Sequence, residues 1–334
     1  FQDTGIPVSN GYSGGFVNGT IGLATVQLGP YSVAQQAFNN AKSVTLALVL
    51  DLGLDGLIGM SFAGQGDISS IGDTLQGNPN FPEDAGRAFI LNVVDQTPTQ
   101  NSFIAFSLSR TDDQEGTSDA SFTINDVDPK YAAVQNAPIL PLFPGNIGEW
   151  GFIFGGFTVD GKPVKLPPSN VDGVPPGQMV LRLDTGTPFT FMPQALIDGI
   201  YSLIPGAQNQ QMHFFGPNKV WTVPCNTTAI LSLQIGGQEF PIHPLDLSEV
   251  VVDPSTNLPL CVTPFATFTQ AFGMDIFAGD SFMRNFYSVF NFGVENPQSV
   301  ADAPSVQLLA QTNAQSASQD AVKVRASLLA QIAP

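Results

Sequence analysis

A chain of 334 residues is long enough for two lobes with separate cores, yet no apolar run in it approaches the ~18 residues of a membrane span. Its 28 acidic residues against 11 basic ones leave a net charge of −17. Such a surface repels nucleic acid and anionic membranes, and it suits a secreted protein that works in acid. With 33 Gly, 27 Pro and 26 Phe among short Val/Ile/Leu runs, the composition predicts many short strands separated by turns.

The chain begins at Phe1, with no charged start and apolar stretch, so no signal peptide is in view. Either processing has removed one or the chain is a piece of a longer one. Tyr12 to Gly22 is a Gly-rich, aromatic stretch of hairpin type. Gly22 to Leu28 and Val44 to Leu50 are predicted strands, with turn formers between them. Ile68 to Leu75 suits a short helix. Glu83 to Asp95 carries Phe89, Ile90, Val93 and Val94 at amphipathic-helix spacing. Ser102 to Leu108 alternates polar and apolar residues, as a half-buried strand does, and a polar loop over Arg110–Ser118 follows.

Trp150 to Val159 is a further predicted strand, and Lys162 to Gly177 a Pro-rich excursion. Val180-Leu181-Arg182-Leu183 is an apolar strand running into Asp184-Thr185-Gly186-Thr187. Pro193 to Ile204 is predicted helical, with Pro193 near its first turn and Leu196, Ile197 and Ile200 on one face. Strands resume at Ile230–Ile235 and Phe286–Phe292. Val26-Gln27-Leu28-Gly29 is echoed by Leu233-Gln234-Ile235-Gly236, as a duplicated architecture would produce. From Ala301 the chain turns to Ala, Ser, Gln and Val, as a loose helix or a disordered tail would; from about Ser305 it is expected to pack poorly or as an isolated helix, and its removal to change stability little.

Other chemistries find little support. His213 and His243 lie 30 residues apart with no Cys or carboxylate at metal-ligand spacing, and no phosphate loop is present. No metal and no cofactor are expected. Cys225 and Cys261 alone are compatible with buried thiols or with a bridge. The sequons at Asn18 and Asn226 are candidate glycosylation sites and lean toward secretion, where a disulfide would persist.

Five segments in order resemble the pepsin-like aspartic protease family. Asp184-Thr185-Gly186-Thr187, flanked by Phe189, Phe191 and Pro193, resembles its second active-site loop. Tyr12-Ser13-Gly14-Gly15-Phe16-Val17-Asn18-Gly19-Thr20-Ile21-Gly22 resembles its flap, whose Tyr closes over substrate. Leu54-Asp55-Gly56-Leu57-Ile58-Gly59-Met60 and Phe277-Ala278-Gly279-Asp280-Ser281-Phe282-Met283-Arg284 resemble the two braces behind the catalytic loops, which makes Asp280 a structural residue. Cys225 and Cys261 stand where the family has a disulfide.

The resemblance implies an all-β, two-lobed fold with a few short helices and a first lobe that is incomplete. It implies lobes over residues 1–145 and 146–300, then the tail over 301–334. The implied activity is acid endopeptidase cleavage of polypeptides by a monomer, in which two carboxylates share a proton and activate one water. Asp184 would be one of them, Thr185 would tie the loop structurally, and Tyr12, Ser13, Gly14, Gly186 and Thr187 would bind substrate.

The family's first Asp-Thr-Gly-Ser, some forty residues ahead of the flap, has no counterpart here. Asp3-Thr4-Gly5 lies 12 − 3 = 9 residues before Tyr12, with no apolar strand ahead of it, and is expected to be a decoy on the strand entering the flap. Ser13 and Pro188 replace the usual Gly and Ser/Thr. The first catalytic Asp is expected to be missing, and this chain alone to have little activity. The alternative is a non-catalytic relative that binds peptide or protein.

Overall fold

A computed structural model describes residues 1–12, 14–46, 50, 53–62, 71–96, 102–110, 119–144, 149–212, 219–267, 273–294, 299 and 302–332. The chain is mostly β. It gathers into two compact units, Phe1–Ser102 with Ile147–Glu149, and Phe103–Asn146 with Trp150–Pro334.

The N-terminal unit is built on one meander of three long antiparallel strands: β1 (Gln2–Tyr12), β2 (Gly15–Leu28) and β3 (Tyr31–Val44). Alternation along them turns Val8, Ile21, Leu23 and Ala37 to one side. Leu75 of a short helix α1 (Ile71–Leu75) and Ala85 complete that core. Only Phe89–Val94 of the expected helix over 83–95 is α-helical (α2); the residues before it form tight turns, because Pro82 and Gly86 break the repeat. The strand expected over Val44–Leu50 is not formed as such: β3 ends at Val44, and residues 47–49 lie outside the described residues. So do Ile68–Ser70 at the start of the first expected helix, Ser13 of the hairpin tip, and His213.

In the C-terminal unit one five-stranded sheet has the order β5-β4-β18-β19-β6. It comprises β4 (Phe103–Ser107), β5 (Ser121–Ile124), β6 (Leu140–Pro141), β18 (Phe286–Asn291) and β19 (Ser305–Ala310). Tyr131 stacks on Tyr287 beneath it, ring centroids 4.5 Å apart. The single strand expected over 150–159 is two, β7 (Gly151–Phe154) and β8 (Gly156–Val159). Gly156, at φ +142°, breaks it, and the halves enter different sheets. β8 pairs with β9 (Lys162–Pro163) and with β13 (Leu231–Ile235), which continues into β14 (Gln238–Ile242).

The helix expected over 193–204 is α3 (Gln194–Tyr201), entered from Pro193. A fourth sheet holds β11 (Gln208–Gln211), β12 (Lys219–Val223), β15 (Glu249–Val252) and β16 (Pro259–Val262). Cys225, just past β12, is bridged to Cys261 on β16, Cα–Cα 5.2 Å. Closing 36 residues restricts the unfolded chain by about 3–4 kcal/mol. The sequence echo has a structural meaning. Leu28 faces Tyr31 and Ile235 faces Gln238 across two-residue turns, whose Gly29 and Gly236 have φ +56° and +58°.

The tail departs from its expected behaviour. Ser305–Ala310 is β19, paired antiparallel with β18 along its whole length, with Val306 and Leu308 fully buried. Helix α5 (Ala314–Ile332) then buries Ala317, Ala321, Val324 and Arg325. The stripe is inconspicuous in sequence because its members are small, and one is a cation whose guanidinium donates to the Ser248 carbonyl at 2.8 Å. No helix among the described residues is long and apolar enough to cross a membrane.

Candidate active site

The site is carried by a three-stranded sheet of the C-terminal unit, with β10 (Met179–Leu183) at its centre. β10 runs antiparallel to β7 and parallel to β17 (Ile276–Ala278), so it is covered on both faces and both edges. Its run of buried Met179, Val180, Leu181 and Leu183 is what such a position demands. Arg182 is the exception, and its guanidinium lies over the Phe277 ring, 5.0 Å from the centroid.

Asp184 is the first residue past β10. Its N–H donates to the Ala278 carbonyl at 3.0 Å, which carries the parallel pairing one step beyond the strand. The chain then turns back on the carboxylate. The Gly186 N–H donates to Oδ1 at 2.7 Å and the Thr187 hydroxyl to Oδ2 at 3.2 Å. A Cβ on Gly186 would sit 3.1 Å from Oδ1, so glycine gives the turn its closeness. Thr185 is half-buried beside them. A carboxylate with two donors and partial exposure is oriented without being removed from solvent.

The brace is formed by β17 and by α4 (Asp280–Met283). Phe191 exchanges two backbone hydrogen bonds with Phe277, at 2.9 and 2.8 Å. The Thr190 and Ser281 hydroxyls lie 2.9 Å apart. Between them, Gly279 passes so close to the loop that a Cβ would fall 2.0 Å from the Thr187 carbonyl oxygen and 2.2 Å from that of Phe189. The next N–H, of Asp280, donates to Thr187 at 2.8 Å. Thr187 therefore holds Asp184 with its hydroxyl and is held by the brace through its carbonyl.

Asp280 itself is more than a turn residue. Its Oδ1 is buried without a hydrogen-bond partner among the described residues. Burial pushes its carboxyl up from an ordinary 3.8 to about 6; the Arg284 guanidinium opposes this and the Asp184 charge adds to it. Because the folded protein holds this proton more tightly than the unfolded chain, Asp280 costs stability as pH rises from about 4 through about 6. Asp280→Asn should therefore stabilise the chain at pH 7 by about 2–3 kcal/mol and leave it unchanged near pH 3. Thermal unfolding at the two pH values checks this; an equal shift at both would refute the burial argument.

The remaining sequence candidates lie elsewhere. Tyr12 and Gly14 flank the tip of the β1–β2 hairpin in the N-terminal unit, where Tyr12 pairs with Gly15. Asp3 is on β1, where its Oδ1 accepts from the Gly5 N–H at 3.0 Å, an Asp-x-Gly turn like that of Asp184. There the likeness ends: Asn40 Nδ2 and Lys42 Nζ approach its other oxygen at 3.3 and 3.6 Å. The Gly5 N–H, more than the lysine, holds its carboxyl below the usual range. Asn18 and Asn226 are exposed, Asn18 within β2 and Asn226 in the turn after Cys225. No group of three or more His, Cys, Asp or Glu among the described residues could hold a metal ion.

The second brace motif, Leu57-Ile58-Gly59, has no such surroundings. Leu57 and Ile58 are 45% and 53% exposed, and no atom lies within 4 Å of a Cβ built on Gly59. The two motifs thus differ in their surroundings: Gly279 lies against the Asp184-Thr185-Gly186-Thr187 loop, and beside Gly59 there is no such loop among the described residues.

A family model described as eukaryotic aspartyl protease matches residues 1–302. The chain is similar to the aspartic-type endopeptidase ctsD of Aspergillus fumigatus, 26% identical over 84% of this chain and 51% of the relative. It is also similar to a probable aspartic-type endopeptidase CTSD of Arthroderma otae, 29% identical over 60% of this chain and 47% of the relative. A third similar protein is the major aspartyl peptidase 1 of Cryptococcus neoformans, 23% identical over 88% and 56%. The chain spans about half the length of these curated relatives.

Proposed function

Because the chain belongs to the eukaryotic aspartyl protease family, we propose that it is part of an acid endopeptidase, with Asp184 one carboxylate of its catalytic pair. The observation that carries this is the Asp184 loop itself: a carboxylate oriented by Gly186 and Thr187, in a turn pressed against Gly279. The partner carboxylate would come on a strand and Asp-Thr-Gly-Ser loop laid along Leu57-Ile58-Gly59, whose exposure leaves room for it.

Two carboxylates a few Å apart cannot both ionise, so they share one proton. The ionised one takes a proton from the water between them. The protonated one donates to the carbonyl oxygen of the peptide, and a tetrahedral diol forms without a covalent enzyme intermediate. No metal or cofactor is needed. Tyr12, Ser13, Gly14, Gly186 and Thr187 would bind an extended polypeptide. Lobes over residues 1–145 and 146–300, a monomeric secreted protein and glycans on Asn18 and Asn226 complete the proposal.

An extended chain, with an apolar strand ending in Asp-Thr-Gly-Ser ahead of Phe1, should cleave a denatured protein at about pH 4. The 334-residue chain should cleave it at least ~10³-fold more slowly. Efficient cleavage by the unextended chain, lost in Asp3→Asn, would make Asp3 the partner and overturn the proposal. A folded but inactive extended chain would favour the non-catalytic, peptide-binding alternative.

A further inference from the structure

The contact of α5 with the rest of the C-terminal unit contains a titratable group that catalysis does not use. His243 caps the short 3-10 turn Pro244–Leu247, and its Nδ1 accepts the Leu245 N–H at 3.2 Å. With Nδ1 occupied as an acceptor, the proton of the neutral ring is on Nε2, which faces Asp320 Oδ2 on α5 at 3.3 Å. The ring is buried. The charged groups that face it are Asp320 from α5, Asp246 from its own turn, and Arg110 from the segment after β4.

Asp246 is already committed. It is ion-paired with Arg110, its Oδ1 is 3.0 Å from Arg284 Nε, and its Oδ2 accepts from Asn285 Nδ2 at 2.8 Å. Its negative charge is shared between two guanidiniums, so it offsets only part of the cost of a third cation. We propose that the His243–Asp320 contact is an acid-opened latch, which releases α5 from the C-terminal unit when the imidazole takes up a second proton.

The step moves one proton from solvent to Nδ1. That nitrogen then points an N–H at the Leu245 N–H, so a buried hydrogen bond is lost and two donors oppose each other. The new charge is buried beside Arg110. Attraction to Asp246 and Asp320 pulls the other way, but the Asp320 side chain is 34% exposed against 12% for Arg110, so screening weakens that favourable pair more than the unfavourable one. Burial, then Arg110, accordingly push the imidazole down to about 4. Release lets the ring reach water and take its proton at the ordinary value near 6.5.

The sign follows. A histidine with a depressed folded-state pKa holds full stability above about 6.5 and loses it as pH falls toward about 4. Along α5 the other anchors include the small buried Ala317 and Ala321, with Val324, and the hydrogen bonds of Arg325 and Ser318. This is a modest apolar contact, so a pH-dependent loss at one turn bears on the whole helix.

Backbone hydrogen exchange of the 334-residue chain, expressed as protection factors corrected for intrinsic rates, tests this at about pH 6.5 and about pH 3.5. Protection at Ala321, Val324 and Arg325 should fall on the order of 10²-fold, and that at β13 far less. His243→Gln keeps a donor toward Asp320 but cannot charge, and should remove the step. Asp320→Asn keeps the titrating ring but not the attraction, and should move the midpoint to lower pH. The chain has two histidines, so the imidazole can be followed directly by NMR. Flat protection in the parent chain, a step that persists in His243→Gln, or one abolished by Asp320→Asn would overturn the latch.

Discussion

Gly279→Ala should unfold the Asp184 loop or the brace behind it, lowering the melting temperature of the C-terminal unit by about 10 °C. The added methyl group would sit 2.0 and 2.2 Å from two carbonyl oxygens, distances at which something must move. Neither is the end of a flexible side chain. Both belong to the backbone between Thr187 and Phe189, fixed by the hydrogen bonds from Asp280 and Ser281 and by the Phe191–Phe277 pair. Relief therefore breaks backbone hydrogen bonds, and the cost is about 3–5 kcal/mol. Gly59→Ala is the matched control. No atom is within 4 Å of its Cβ, so it should change stability by less than about 0.5 kcal/mol in this chain. In the extended protein, with a loop laid against it, the same substitution should become as damaging as Gly279→Ala. Calorimetry on the four variants reads all of this. A harmless Gly279→Ala would show that the loop is not held as described.

Asp184→Asn, made in the extended and active protein, should lower turnover by about 10³-fold or more while leaving the fold intact. Asparagine retains Oδ1 to accept the Gly186 N–H, and its amide matches the carboxylate in shape, so the loop geometry survives. What is lost is the capacity to take and return a proton, which the shared-proton mechanism requires of both members. Asp3→Asn should leave turnover unchanged, because that carboxylate is engaged with Gly5, Asn40 and Lys42 on β1. Unchanged melting in both variants guards against a trivial loss through unfolding. Retained activity in Asp184→Asn would remove this residue from the chemistry.

Several features were legible residue by residue because the demands on them are local. A strand covered on both faces is apolar throughout, and Met179–Leu183 is so except at Arg182. A carboxylate capped by its own loop needs a residue without Cβ two positions on, and Gly186 supplies it. Paired two-residue turns leave Gly29 and Gly236 as their mark. Each of these constraints acts within a few residues, where a linear pattern can express it.

Other features are set by groups far apart in the chain. The resemblance marks Gly279 as part of a brace behind the Asp184 loop, but not that the Thr187 carbonyl, 279 − 187 = 92 residues earlier, will lie directly against it. The role of Asp280 comes from the company it keeps: burial, Arg284 and Asp184 raise its pKa, whereas the same Asp at an exposed turn would be unremarkable. The tail looked loose because Ala-rich stripes carry little hydrophobic signal, and its anchors, Ser248 for Arg325 and His243 for Asp320, stand 325 − 248 = 77 residues away in both cases. Sequence alone thus determined the family, through the resemblance of its short motifs, and the loop and turn chemistry, which follow from short-range backbone geometry. Only the tertiary structure decided which carboxyl keeps its proton and what the last helix holds, because those depend on desolvation and on charges brought together from distant parts of the chain.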